Sequence, residues 1–315
     1  MKVVTIDCQY LFPRYAASYL VTDGERALVV DNNTTHSVPL ILKALKEEGL
    51  TPEKVDYLIV THVHLDHAGG SSALLRECPN AKLLAHPRAV PHLVDPSKLI
   101  SSARKVYGDE KFEKLYGWID PIAAERVRAM EDGEVLSWQW MALQFLHTRG
   151  HANHHFCISF SEGGRPRYVF TGDAFGLAYP DLQKAGLFVF PSTSPTDFDA
   201  GQARLSIDRI QGIGAPVAYP THFGPVREIA EAARQLKEGI DFSEALLQEA
   251  VQSEEADDKL DKFCETRVRA HFLELFKRRG MSWDKKAQEL LDLDMELNGA
   301  GIAHVARKIR RKKAE

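Results

Sequence analysis

The sequence predicts an α+β fold: a sheet-on-sheet core covered by helices on both faces, followed by a C-terminal helical region. Three observations lead there. Strand-like and helix-like runs alternate between residues 18 and 85. Four further strand-like runs crowd into residues 135–170. From Val226 onward the chain is rich in Glu, Lys, Arg, Ala and Leu with no strand pattern, which leaves the last part of the chain helical. A chain of 315 residues with 44% hydrophobic and 27% charged residues can bury a full core, which excludes disordered and fibrous classes.

Taken in order, residues 1–10 read as a strand carrying Asp7. The basic start and long apolar stretch of a signal peptide are missing there. Residues 18–21 and 26–31 flank Asp23-Gly24 and form a hairpin. Leu40, Ile41, Ala44 and Leu45 recur at helical spacing and stop at Gly49. Residues 57–60 are a continuous apolar strand running into Thr61-His62, residues 68–76 a helix, and residues 82–85 a short strand. Between Pro87 and Trp118 the pattern is helical but interrupted, an excursion over the domain face. Strands follow at 135–138, 142–147, 155–160 and 167–170, with a turn at Gly163-Gly164. A loop at 175–197 leads to a helix at 200–210 and a strand at 216–219. The expected division is residues 1–226 as one domain and 227–315 as the helical region.

Bulk charge excludes little but steers the reading. Forty Lys and Arg against 44 Asp and Glu give a net charge of −4, so no protein-wide field favours nucleic acid or an anionic membrane. No run approaches the roughly 18 apolar residues of a membrane span. The four cysteines, Cys8, Cys78, Cys157 and Cys264, lie far apart with no C-x-x-C pair, and read as free thiols of a cytoplasmic protein. The expected partner is a small-molecule substrate, with no nucleic acid and no membrane; self-association stays open.

Histidine placement carries the chemistry. Thr61-His62-Val63-His64-Leu65-Asp66-His67-Ala68-Gly69-Gly70 puts three His and one Asp within six positions at a strand end. Residues 62 and 64, two apart in extended backbone, project to the same side, while Asp66 and His67 lie past the turn and can face a second point. Gly69-Gly70 would let the next helix pack closely on this loop. Three more candidate ligand segments each follow a predicted strand: Gly150-His151, Thr171-Gly172-Asp173 and Thr221-His222.

These motifs, in this order over residues 2–226, resemble the metallo-β-lactamase-fold hydrolase superfamily, and specifically its glyoxalase-II-like branch. The resemblance implies a four-layer αβ/βα sandwich. It implies that His62, His64 and His151 bind one metal, that Asp66, His67 and His222 bind a second, and that Asp173 bridges both. Asp31 matches an acidic residue that supports the site in that family. The chain departs from the family pattern at Asn32-Asn33, Arg149 and His154; His155 matches a histidine that is more often a support than a ligand. The implied cofactors are two divalent ions, zinc first, with iron or manganese as alternatives.

Such a pair would lower the pKa of a bound water to about 7 and so would supply hydroxide for attack on a thioester or lactone of a small molecule. Asp66 is the expected catalytic residue, orienting that hydroxide and accepting its proton. No G-x-S-x-G elbow is present to offer a protein nucleophile. Alternatives from other classes are a mononuclear-iron sulfur dioxygenase, a nuclease-type phosphodiesterase and a non-catalytic member of the fold. His36, His86, His92, His147, His154, His271 and His304 complete no ligand spacing and read as surface or packing residues. Phe175, Tyr179, Phe188 and Phe190 either recognise substrate or anchor a long loop. The basic run at 307–313 reads as a solvated helix end.

Overall fold

The computed structural model describes residues 1–193 and 197–314. Residues 194–196, inside the loop expected at 175–197, and residue 315, at the end of the expected helical region, lie outside the described residues. The chain forms two compact units, each assembled from separate stretches. The first comprises Met1–His147, His154–Gly172 and Ala215–Pro225, and the second Thr148–Asn153, Asp173–Gly214 and Val226–Glu315.

The first unit contains two sheets. One has the order β1 (Lys2–Asp7), β2 (Ala17–Thr22), β3 (Ala27–Val30), β4 (Val55–Ile59), β5 (Lys82–Ala85), β6 (Val127–Ala129). Pairing is antiparallel from β1 to β3 and parallel from β3 to β6. The other contains β7 (Val135–Trp138), β8 (Met141–His147), β9 (Phe156–Glu162), β10 (Arg165–Gly172) and β11 (Ala218–Pro220), antiparallel except for the parallel pair β10–β11. Side chains of period two from both sheets share one core: Tyr19, Val21, Leu28 and Val30 from the first, Leu143, Phe145, Ile158 and Phe160 from the second. The opposite face of the first sheet, with Leu20, Val29, Leu58 and Leu83, packs on helices α1 (Val38–Glu47) and α3 (Ser71–Glu77) through Ile41, Leu45 and Leu74. Burial on both faces explains why β3 and residues 58–60 at the end of β4 read as continuous apolar runs.

The helix expected at 68–76 forms as α3, and a separate single turn, α2 (Leu65–Ala68), precedes it, with Gly69-Gly70 between the two. A Cβ on Gly70 would stand 2.8 Å from the carbonyl oxygens of both Asn32 and Thr34. The edge strand β6 was not anticipated, since only three residues pair there and none of them is fully buried. Helices α4 (Val90–Val94), α5 (Ser97–Tyr107) and α6 (Asp109–Tyr116) make up the helical excursion.

The second unit is built on α7 (Ala200–Gly212), α8 (Ile229–Gln252), α9 (Leu260–Arg278) and α10 (Lys285–Ala314). Asp199 caps α7 by accepting from the Gln202 amide at 2.9 Å. Leu236, Ile240, Phe272, Phe276, Leu291 and Met295 are buried. Gly299 permits close approach of α10 to α9, where an added Cβ would come within 2.6 Å of the Glu265 amide nitrogen. The four aromatics of the 175–190 segment are all buried. Phe188 meets Phe276 edge-on at 5.5 Å, Phe190 meets Phe272 at 5.0 Å, and the Tyr179 hydroxyl donates to Asp294 at 3.2 Å, so these rings anchor their segment to α9 and α10. The basic run is not simply solvated. Arg310, with a side chain only 19% exposed, donates to the carbonyls of Ala250 (2.6 Å) and Ser253 (2.7 Å) at the end of α8, and Arg307 pairs with Asp261 at 2.8 Å. No helix among the described residues is long and apolar enough to cross a membrane.

Candidate metal centre

Within the first unit, strand ends bring Asp31, Thr61, the 62–67 loop and His222 together. β4 ends at Ile59, whose carbonyl accepts from the Asp31 amide at 2.8 Å. Asp31 sits in the left-handed region at φ 49°, tolerable for Asp, and its carboxylate is wholly buried. That carboxylate is a hub. Oδ1 accepts from the Thr61 amide at 2.7 Å. Oδ2 accepts from the Thr61 hydroxyl at 2.9 Å, the Thr221 hydroxyl at 2.6 Å and His67 Nδ1 at 2.9 Å. Four hydrogen bonds satisfy a buried charge that would otherwise be costly.

The hub also fixes which nitrogen each imidazole presents. His67 Nδ1–H points at Asp31, so its lone pair lies on Nε2. His222 Nδ1 lies 2.9 Å from the Tyr15 carbonyl, which can only accept, so it too presents Nε2. The Thr61 hydroxyl spends its proton on Asp31 and can accept from His62 Nδ1 at 3.1 Å. The result is a convergent donor set: one ligand atom from each of Asp66, His67 and His222 lies within 4.8 Å of the others. Asp66 Oδ2 is 3.4 Å from His222 Nε2 and 3.8 Å from His67 Nε2. The His62 ring meets His64 edge-on with centroids 4.4 Å apart and His67 at a tilt with centroids 4.0 Å apart. Imidazole and carboxylate donors at this spacing suit zinc, iron or manganese, so the residues present fit a divalent ion.

The departures at Asn32-Asn33 and His154 are accommodated locally. Asn33 adopts φ 54° and its side-chain amide donates to the Asp66 carbonyl at 2.8 Å, holding the ligand loop. His154 Nδ1 lies 3.5 Å from the Val63 amide, and the buried His155 ring is 4.9 Å from His62. Gly172 leaves room for these groups, since a Cβ there would meet His155 Nε2 at 2.5 Å and Thr61 Oγ1 at 2.6 Å.

Within the second unit the structure brings His151 and Asp173 together, His151 Nε2 lying 3.4 Å from Asp173 Oδ2, and both are buried. His151 Nδ1 is held by the Ser192 carbonyl at 3.2 Å, which again leaves the lone pair on Nε2. Gly150 at φ 118° packs directly on α7: a Cβ would meet the Ala203 amide nitrogen at 2.3 Å. The Gly150 carbonyl accepts from the Asp199 amide at 3.0 Å, and Arg149 donates to the Asn153 side chain at 2.8 Å. The supporting carbonyls of Tyr15 and Ser192 were invisible in sequence, because every residue has a carbonyl.

A β-sandwich with clustered His and Asp donors at its strand ends defines a class of metal-binding proteins. The family model of the metallo-beta-lactamase superfamily matches residues 11–222, more than half of the chain, and the chain belongs to that superfamily. Among curated relatives, the metallo-beta-lactamase fold-containing protein ST1585 of Sulfurisphaera tokodaii is 26% identical over 188 residues, 58% of this chain and 64% of that protein. An atrochrysone carboxyl ACP thioesterase of Passalora fulva is 27% identical over 158 residues, 50% of this chain and 37% of that protein. A hydroxyacylglutathione hydrolase of Aeromonas hydrophila is 26% identical over 137 residues, 44% of this chain and 39% of that protein. The matched segments thus span less than two thirds of each of these relatives. The crystal structure of ST1585 from Sulfolobus tokodaii shares the fold, with a TM-score of 0.65 and 22% identity over 95% of this chain and 97% of that one.

Proposed function

We propose that this chain is a dinuclear metal-dependent hydrolase of a thioester or lactone bond in a small molecule. The observation that carries the reading is the donor set of Asp66, His67 and His222, with the Nδ1 atoms of both histidines committed to oxygen partners. In this reading His62, His64 and His151 would hold one ion and Asp66, His67 and His222 the other, with Asp173 as a further ligand. Zinc is the first candidate. A divalent ion bound by such donors lowers the pKa of water to about 7 and polarises a substrate carbonyl. The protein's own part is orientation. Asp31 aims His67, the Tyr15 carbonyl aims His222, and Asp66, whose side chain is 27% exposed, orients the attacking water and takes its proton. The thioesterase and hydroxyacylglutathione hydrolase among the relatives support thioesters over other ester-like bonds, and with them the glyoxalase-II-like branch.

The test is metal quantification on purified protein together with hydrolysis of a panel of thioesters, lactones, β-lactams and phosphodiesters. Two equivalents of zinc and thioester or lactone turnover are expected, with turnover reduced about 100-fold or more in Asp66→Ala. One iron per chain with oxygen uptake and no hydrolysis would replace this reading with a dioxygenase.

A further inference from the structure

The second unit contains a cavity of about 320 Å3 that none of the seven candidate metal ligands lines. Helices α8 and α9, the 188–191 segment and Asn298 of α10 form its walls, which places it among the helices that the metal chemistry leaves unexplained. Its volume is at the lower end of the range for small-molecule sites. Its walls are flat and aromatic. Phe242 and His271 stack face to face, with ring centroids 3.7 Å apart and planes within 5°. Phe190 and Phe272 meet edge-to-face at 5.0 Å. Such surfaces accept a planar ring by offset or edge contact.

The charges around the cavity are unequal in their commitments. Asp241 is paired with Arg204 at 2.6 Å, and Glu238 with Arg234 at 2.5 Å. Arg279 donates to the Leu187 carbonyl at 2.6 Å and lies over the Phe188 ring. Arg278 lines the same cavity, is exposed, and makes no ion pair among the described residues. His271 likewise has no hydrogen-bond partner among them. Burial, reinforced by the charge of Arg278, pushes its imidazole down to about 4, so at neutral pH it is an uncharged ring able to donate or accept. Among the described residues lining the cavity the acids are paired, and the one charge without an ion pair or hydrogen bond is positive.

We infer that this cavity binds a small planar aromatic carboxylate, its ring against Phe242, His271 and Phe272 and its carboxylate toward Arg278. Guanidinium recognition of a carboxylate favours the anion over a neutral isostere.

The probe is 2-naphthoate, titrated calorimetrically into the full chain, with 2-naphthamide as neutral isostere and octanoate as the non-planar anion. Binding of 2-naphthoate at one site, weakened by salt and tighter than either comparison compound, is expected. Arg278→Gln, at an exposed position with no ion pair among the described residues, should weaken 2-naphthoate about tenfold and leave 2-naphthamide unchanged. Leu275→Trp, which fills the cavity, should abolish binding of 2-naphthoate, with an unchanged circular dichroism spectrum showing the fold intact. Protein stripped with EDTA should bind as before. No binding at millimolar 2-naphthoate overturns the inference. So does octanoate binding as tightly, indifference to both substitutions in folded protein, or loss of binding with the metal; the last would mean that the carboxylate sits on the metal ligands.

Discussion

The two units secure their candidate ligands in different ways. In the first, one buried carboxylate, Asp31, takes four hydrogen bonds and ties together three separate chain segments through Thr61, His67 and Thr221. In the second, His151 is aimed by a single backbone carbonyl, and the loop that carries it is fixed by close backbone packing of Gly150 on α7. A hub concentrates dependence on one side chain. A carbonyl tether spreads it over the packing that places the backbone, so no single side-chain deletion removes it.

Asp31→Ala should therefore have the largest effect of any single substitution. It leaves the Thr61 amide, two hydroxyls and the His67 ring without their buried acceptor. Urea unfolding should show a loss of about 3–5 kcal/mol, and bound metal measured by mass spectrometry should fall with it. Asp31→Asn should recover little, because Oδ2 accepts three donors and an amide nitrogen in its place would face them with its own hydrogens. If Asn restores both stability and metal, the carboxylate is not the organising group and the contrast between the units collapses.

Gly150→Ala probes the other arrangement. A Cβ would stand 2.5 Å from the Ala203 Cα and the residue is held at φ 118°, so both the loop and α7 must shift. A loss of about 2–4 kcal/mol by the same unfolding measurement is expected, from overpacking together with an unfavourable backbone conformation. Thr193→Val should cost less, about 1–2 kcal/mol, by removing the hydroxyl that bonds the Asn298 backbone carbonyl at 3.0 Å and its side-chain oxygen at 2.9 Å. A Thr193→Val effect as large as that of Asp31→Ala would show that the second unit has a hub of its own.

How much of this could be read from the sequence follows from the same contrast. His62, His64, Asp66 and His67 stand within six residues, so their density alone marked them. Asp31 lies 30 residues before Thr61 and 190 before Thr221; only the fold brings the three together, and sequence offered no more than a match to a supporting acid. Strand and helix order was legible because the helices keep apolar residues at helical spacing, while β3 and the end of β4 are short, continuous apolar runs. The single turn α2 was not, since its four residues lie inside the ligand loop and are too few to show helical spacing. Arg310 was misread because a basic run at a chain's end has the same composition whether it is solvated or caps the carbonyls of α8.

The smallest expected effect concerns His271, a half-buried polar ring of the second unit that lacks both a hub and a tether. Burial pushes its pKa down to about 4 from an ordinary 6.5, so the folded state disfavours the proton that the unfolded chain accepts. Above pH 6.5 both states are neutral at this ring and it adds no pH dependence. As the pH falls from 6.5 toward 4 the unfolded state gains a proton that the folded state does not, and stability is lost through that window; below it both are protonated and the loss stops growing. His271→Phe keeps the stack on Phe242 and removes the titration. The melting temperature of this variant should fall less than that of the wild type between pH 7 and pH 4.5, with the two close at pH 7. Parallel curves would mean that some other group titrates in that window, and that the ring stacked on Phe242 is reached by solvent more readily than its burial implies.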